Sequence, residues 1–501
     1  MRALLVLGST LLAAAPAVAQ RVVTSPGPGK VALTVYRAPY GNGAMDLRYL
    51  GGFALVTETR RVQLPRGPAT LRFEGVAEGI VPVSAVIDGL PGGVIEKNRD
   101  ARLLSPASLV DGTLGRQVTL TRTNRATGRT TSEEATIVAG PEQGVVLRTA
   151  SGIEALRCAG LPERLGFKGV PAGLSAKPVL SVATTSAAAR TVTVRLSYLA
   201  SGFDWRANYV ATVAPGGKTL DLFAWLTLAN GNPETFADAE TNAVAGRLNR
   251  VAVARIPAAA GALSLRCYPL GTTTSDLRAE TFEMAEDIVV TGSRVMAPPP
   301  PAPVAMAAPP PPPPPPPEDL GDLKLYRVPE RTDVSARGQK QVALLSRAVV
   351  SFERRYRRAV YPGQALPPSP TATVLVLRNV KAAGLGLALP AGGTALYAAT
   401  ATGDRRLLGL GNLTDRADGE TFRVAAGTST QVLVAQTAAA PNTATLRVSN
   451  ANPFPVTIDI PIGRPGQQIE ADGDALKAVD GIATWTVTLA AGDRAELAYR
   501  F

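Results

Sequence analysis

From Val31 onward, apolar residues recur at every second position in short runs, and each run is closed by Gly, Pro, Asn or Asp. Such punctuation builds sheets and leaves no stretch long enough for a helical core. Val31, Leu33 and Val35 alternate with Ala32, Thr34 and Tyr36. Residues 53–62 and 69–73 flank the turn Leu64-Pro65-Arg66-Gly67, and residues 116–123 and 132–138 enclose a polar loop at 124–128. A strand at 144–149 follows, and only residues 105–110 suggest a helical turn. With 48 Gly, 42 Pro and 5 % aromatics, the expected cores are built from Val, Leu and Ala.

Further strands are predicted at 191–199, 208–213, 220–228, 323–328, 343–355, 371–377, 393–398, 421–424, 431–435, 445–448, 456–460, 484–489 and 495–501. Between them, prolines fill 298–301 and 309–317. Nine successive prolines donate no backbone hydrogen bonds and favour an extended polyproline II rod, so this tract reads as a solvated spacer. The fold class expected is mainly β: a small N-terminal all-β domain at 20–170, then β-sandwich modules over 171–501, interrupted by a disordered Pro-rich insertion at about 275–320. A short internal echo sits in the second part. Asn230-Gly231-Asn232-Pro233 and Asn450-Ala451-Asn452-Pro453 each lie between two strands, where Asn bonds the backbone two residues on and Pro presets φ. Two related modules, or one common turn sequence used twice, would both produce it.

The first residues carry an address. Arg2, an apolar run over 3–12 and Ala17-Val18-Ala19 match a secretory signal cleaved after Ala19, and no later segment offers a transmembrane helix. The expected location is the periplasm, with outer-membrane association as an alternative because the chain ends Leu497-Ala498-Tyr499-Arg500-Phe501, like the last strand of outer-membrane barrels. Cys158 and Cys267 are the only cysteines and are expected to pair in an oxidising space. That bridge would close a loop of roughly 110 residues and contribute about 4 kcal/mol. The formal charge of +12 suits an anionic envelope polymer, lipopolysaccharide or peptidoglycan, while export argues against nucleic acid. Basic residues are scattered except at Arg354, Arg355, Arg357 and Arg358, a candidate anion patch.

Chemistry is limited by what is missing. The chain has no histidine, which removes Ser-His-Asp and Cys-His nucleophiles and His-ligated zinc. Gly216-Gly217-Lys218-Thr219 ends like a phosphate loop, but Thr212 stands where the earlier glycine belongs and the segment reads as a hairpin. Gly384-Leu385-Gly386 and Gly409-Leu410-Gly411 read as ordinary turns. Carboxylate-only catalysis by a glycan hydrolase survives as an alternative, with Glu133-Glu134 and the group Asp415, Asp418 and Glu420 as clustered acids; the latter could also hold calcium. No catalytic residue, metal or cofactor is expected.

Ser197-Tyr198-Leu199, Trp205-Arg206-Ala207-Asn208-Tyr209, Trp225-Leu226-Thr227-Leu228-Ala229-Asn230, Val244-Ala245-Gly246 and Asn249 together resemble the signature of the bacterial domain-of-unknown-function 4139, or mucoidy inhibitor-like, family. Lys340-Gln341-Val342 and residues 497–499 are similar to its second half. The resemblance spans about 178–501 and implies a β-sandwich in an exported protein, with no established activity. The N-terminal part has no heptad run, where many relatives carry a coiled coil. Glu286, Asp287, Ile288, Val289, Val290, Thr291, Gly292, Ser293 and Arg294 resemble the stretch that precedes the plug of TonB-dependent receptors, and could form a linear docking segment held out by the prolines. The expected role is a non-catalytic, structural or interaction protein of the cell envelope whose partner is an envelope protein or an anionic polymer.

Overall fold

The computed structural model describes residues 21–39, 45–100, 104–124, 127–140, 144–156, 164–171, 174–246, 248, 315–400, 404–440, 442–473 and 475–501. The leader, Cys158, Cys267 and the segment 286–294 lie outside these residues, so the expected cleavage, disulfide and docking segment are not described. The protein is mainly β, with multiple sheets. Among the described residues no helix is long and apolar enough to cross a membrane. The α-helix Pro106–Gly112 begins where Ser105 and Ser108 cap one another: the Ser108 amide donates to Ser105 Oγ at 3.1 Å and the Ser105 amide to Ser108 Oγ at 2.8 Å.

Two compact units divide the chain, and they interleave. Among the described residues, unit 1 comprises 21–30 and 57–198, and unit 2 comprises 31–56, 199–248 and 315–501. Gly52–Leu64 and Arg190–Val213 each contribute residues to both units.

In unit 1, one sheet has four strands, in the order Arg21–Ser25, Gly67–Glu74, Val179–Ser186, Glu96–Asp100. A second, five-stranded antiparallel sheet buries Val118, Leu120, Ile137 and Leu147 around Val110 of the helix. Alternation along Gly52–Leu64 turns even-numbered residues inward, and two of these are Glu58 and Arg60, both fully buried. Arg60 Nε donates to Glu58 Oε2 at 2.8 Å, Arg60 Nη1 donates to the Glu74 carbonyl at 2.8 Å, and the Tyr198 hydroxyl donates to Glu58 Oε1 at 2.7 Å. The Ala77 amide donates to the same hydroxyl at 3.0 Å, so both charges are held by partners.

Arg190–Val213, which belongs to unit 2 from Leu199 on, is one strand where two were expected. Even-numbered residues 194–200 face inward in its first part, and odd-numbered residues 203–213 in its second. Gly202 at φ +82 absorbs the change of parity as a bulge, and a Cβ there would meet Asn232 Nδ2 at 2.9 Å. The expected strands at 421–424 and 431–435 likewise merge into Thr421–Ala440. Strands Val179–Ser186 and Arg405–Leu413 are additional to those expected, and the strand expected after Pro233 is Phe236–Ala245. Arg405–Leu413 contains Gly409-Leu410-Gly411, which is strand and not the expected turn: a Cβ on Gly409 would meet the Ala425 carbonyl at 3.1 Å and one on Gly411 the Ala425 Cβ at 3.4 Å. Those glycines let the strand lie close against Thr421–Ala440.

One sheet of this unit runs Arg405–Leu413, Gly392–Ala399, Arg190–Val213, Thr219–Asn230, Gly338–Arg357. Only the Gly392–Ala399 to Arg190–Val213 pairing is parallel. Phe236–Ala245 pairs with Lys30–Tyr36, Leu323–Arg327 and Thr332–Val334, with Ala245 opposite Lys324. The later strands Thr443–Asn450, Val456–Pro461, Ile482–Leu489 and Arg494–Arg500 enclose a core of Val434, Leu446, Ile458 and Ile460.

The repeated turn has one design. Asn230 is fully buried; its Nδ2 donates to the Glu234 carbonyl at 2.8 Å, and its Oδ1 accepts from the Asn232 amide at 2.9 Å. Asn450 Nδ2 donates to the Phe454 carbonyl at 2.9 Å, and its Oδ1 accepts from the Asn452 amide at 3.0 Å. A further bond from each Nδ2 reaches a carbonyl just before the strand that pairs next, Ser335 at 3.2 Å and Ala490 at 2.9 Å. The amides of Gly231 and Ala451 donate to the preceding strand's carbonyls of Gly202 and Gln431, both at 2.8 Å. The strand order around each turn also agrees: a strand, its antiparallel partner ending in Asn, a third strand, and a return strand that pairs back onto the second.

Candidate functional site

Alternation in Thr219–Asn230 sends Leu220, Leu222, Ala224, Leu226 and Leu228 inward, leaving Asp221, Phe223, Trp225 and Thr227 on the outward side, where Thr227 is itself covered. Trp225 is 37 % exposed, and its ring meets Phe223 edge-on with centroids 4.7 Å apart. Across the sheet, one row reads Asn412, Gly393, Asn208, Trp225, Ala343, and the next reads Leu410, Ala395, Val210, Phe223, Ser346. Leu410 is 70 % exposed. Gly393 and Ala395 are short, so the face is lowered along Gly392–Ala399 between Asn208 and Val210 on one side and Asn412 and Leu410 on the other. Asn208 Nδ2 donates to Thr227 Oγ1 at 3.0 Å, and Gln341 Nε2 donates to the same oxygen at 3.3 Å. The amide carbonyls of both side chains thereby stay available beside the indole.

Beneath this face the sheet is fastened from the inside. Trp205 is fully buried and donates from Nε1 to the Val244 carbonyl at 3.0 Å, so the two signature tryptophans lie on opposite faces. The Arg37 guanidinium lies 5.7 Å from the Trp205 ring and forks onto Asp415 at 2.9 and 2.7 Å. Tyr209 donates to the Pro390 carbonyl at 2.6 Å, and Tyr326 to the Ala388 carbonyl at 3.2 Å. Burial pushes both phenols above their usual range. Burial also raises the Asp204 carboxyl, against the pull of the Ala38 and Trp205 amides, each donating to Oδ1 at 2.9 Å.

Four of the five acids singled out in the sequence are ion-paired. Asp415 holds Arg37, Glu420 lies 3.5 Å from Arg416, Glu133 is 2.6 Å from Arg122, and Glu134 is 3.4 Å from Lys168. The four arginines are not all on one face of the strand. Arg355 binds Glu353 at 2.7 Å and Asp459 at 3.0 Å, while Arg358 Nη1 donates to the Pro370 carbonyl at 3.2 Å. Arg354 faces the opposite side of the strand from Arg355 and Arg357. Burial, then the Arg423 guanidinium, push the Arg357 pKa down. Gly216-Gly217 is a hairpin turn, with the Ala214 amide donating to the Thr219 carbonyl at 2.9 Å. In unit 1, an open depression of about 590 Å³ beside Arg21 and Arg190 has no carboxylate among its lining residues.

Sequence reasoning singled out Trp225 but missed the platform around it. Its partners come from strands far apart in the chain, and the signal that could have found it was the alternation placing Phe223 and Trp225 opposite Leu222, Ala224 and Leu226. No family model matches the chain, and no curated protein matches it.

Proposed function

We propose that this is an exported, non-catalytic protein of the bacterial cell envelope, akin to the mucoidy inhibitor-like family, that works by binding with the outward face of its unit 2 sheet. The single observation carrying this reading is the open face around Trp225, where aromatic and aliphatic side chains stay in contact with solvent. Export rests on Arg2, the apolar run over 3–12 and Ala17-Val18-Ala19. The non-catalytic reading draws support from the ion pairing of the clustered acids and from the lack of histidine.

Cell fractionation combined with a photo-crosslinker at Val210 tests both parts. Periplasmic recovery with a discrete adduct that disappears when the crosslinker is moved to inward-facing Leu222 is the expected result. A cytoplasmic protein, or an adduct independent of position, overturns the reading.

A further inference from the structure

We infer that the Trp225 face binds a polysaccharide chain; this rests on the surface-binding reading above and names its ligand. The argument starts from the two turns built alike. Counting back from Asn230 and from Asn450, inward positions match: Leu228 with Val448, Leu226 with Leu446, Ala224 with Ala444, all buried. The outward positions differ. Thr227, Trp225 and Phe223 correspond to Arg447, Thr445 and Thr443, and Arg447 makes an exposed ion pair with Glu496 at 2.8 Å. The fold therefore closes with ordinary solvated side chains at these places, and the aromatic pair is not required for it.

What surrounds the pair selects the ligand. A protein hot spot sits in a dry apolar pocket, whereas Trp225 is bordered by Asn208 in its own row and by Gln341 and Thr227 in the next. Asn208 and Gln341 spend one donor each on Thr227 and keep their carbonyl oxygens, while Asn412 stands exposed across Gly393. A pyranose has an apolar C–H face that lies on an aromatic ring and a rim of hydroxyls that both donate and accept. Strands lie about 4.8 Å apart, so the face from Trp225 across the lowered strand to Leu410 spans roughly 14 Å, room for several sugars of a chain.

Calorimetric titration of the full mature chain with chitin oligosaccharide, a neutral probe, and with polygalacturonate, an acidic one, tests the inference. Binding of either probe is expected, weakened at least tenfold by Trp225→Ala and by Asn208→Ala but little by Trp225→Phe, which also controls for folding. If neither probe binds, or Trp225→Ala binds as well as the parent, the inference fails. Should the Val210 crosslinker at the same time capture a defined protein or a second copy of the chain, the glycan inference falls while the surface-binding reading stands.

Discussion

The strands Thr219–Asn230 and Thr443–Asn450 end in the same buried asparagine, held by the same bonds, yet one shows Phe and Trp to solvent and the other Thr and Arg. Around the first, the connection after the third strand carries the proline tract; around the second, the corresponding connection runs through 462–481. The difference separates two kinds of constraint. Inward positions and the asparagine are set by folding and agree between the copies. Outward positions are free of that constraint, and there the first copy departs.

The largest effect that could break the comparison is at the asparagines themselves. Asn230→Ala and Asn450→Ala should each cost about 3 kcal/mol, since each orphans several buried backbone groups; urea unfolding checks this, and a cost confined to one copy would mean that the turns only look alike. Exchanging outward residues is the next step down: Trp225→Thr, the residue of the other copy, should change stability by about 1 kcal/mol while removing surface binding. Loss of folded protein would instead make the indole part of the core.

Alkaline titration sharpens the comparison through buried phenols. Tyr499, in the later copy, is pushed by burial from 10.0 to about 12. A raised value means that the native state favours the neutral phenol, so its contribution is complete below pH 10 and lost as pH rises through about 12. Tyr209, in the first copy and fully buried, should ionise only on unfolding, seen as tyrosinate absorbance that appears together with loss of ellipticity. Asp204 is also raised, so its contribution falls as pH climbs above the usual carboxylate range; Asp204→Asn should gain stability relative to the parent at neutral pH and little in acid, read from thermal melts. The smallest effect belongs to Arg447→Ala, under about 0.5 kcal/mol, because its ion pair with Glu496 is solvated.

The sheets were legible because alternation and turn chemistry are local. The Asn-x-Asn-Pro turns were legible for the same reason, down to the bond from the amide two residues on. What escaped needed register between distant strands. Trp205 and Trp225 look alike in the sequence, and only the parity change at Gly202 and the pairing of Asn208 with Trp225 put one inside and one out. Glu58 and Arg60 sit in a run read simply as strand, although its own period already placed them among Ala54, Val56 and Val62. Leu410 was hidden by glycines that resemble a turn but serve close packing.

The pairing of Ala245 with Lys324 has a consequence for how this chain tolerates change. The excursion that includes the prolines begins and ends on adjacent strands, about 4.8 Å apart, so its two feet are planted whatever its length. Doubling or halving such a loop alters closure by only about 0.6 kcal/mol. The tract can therefore lengthen, shorten or exchange its sequence over generations while the sheets that anchor it go undisturbed, which makes it the cheapest place in the molecule to acquire a new reach.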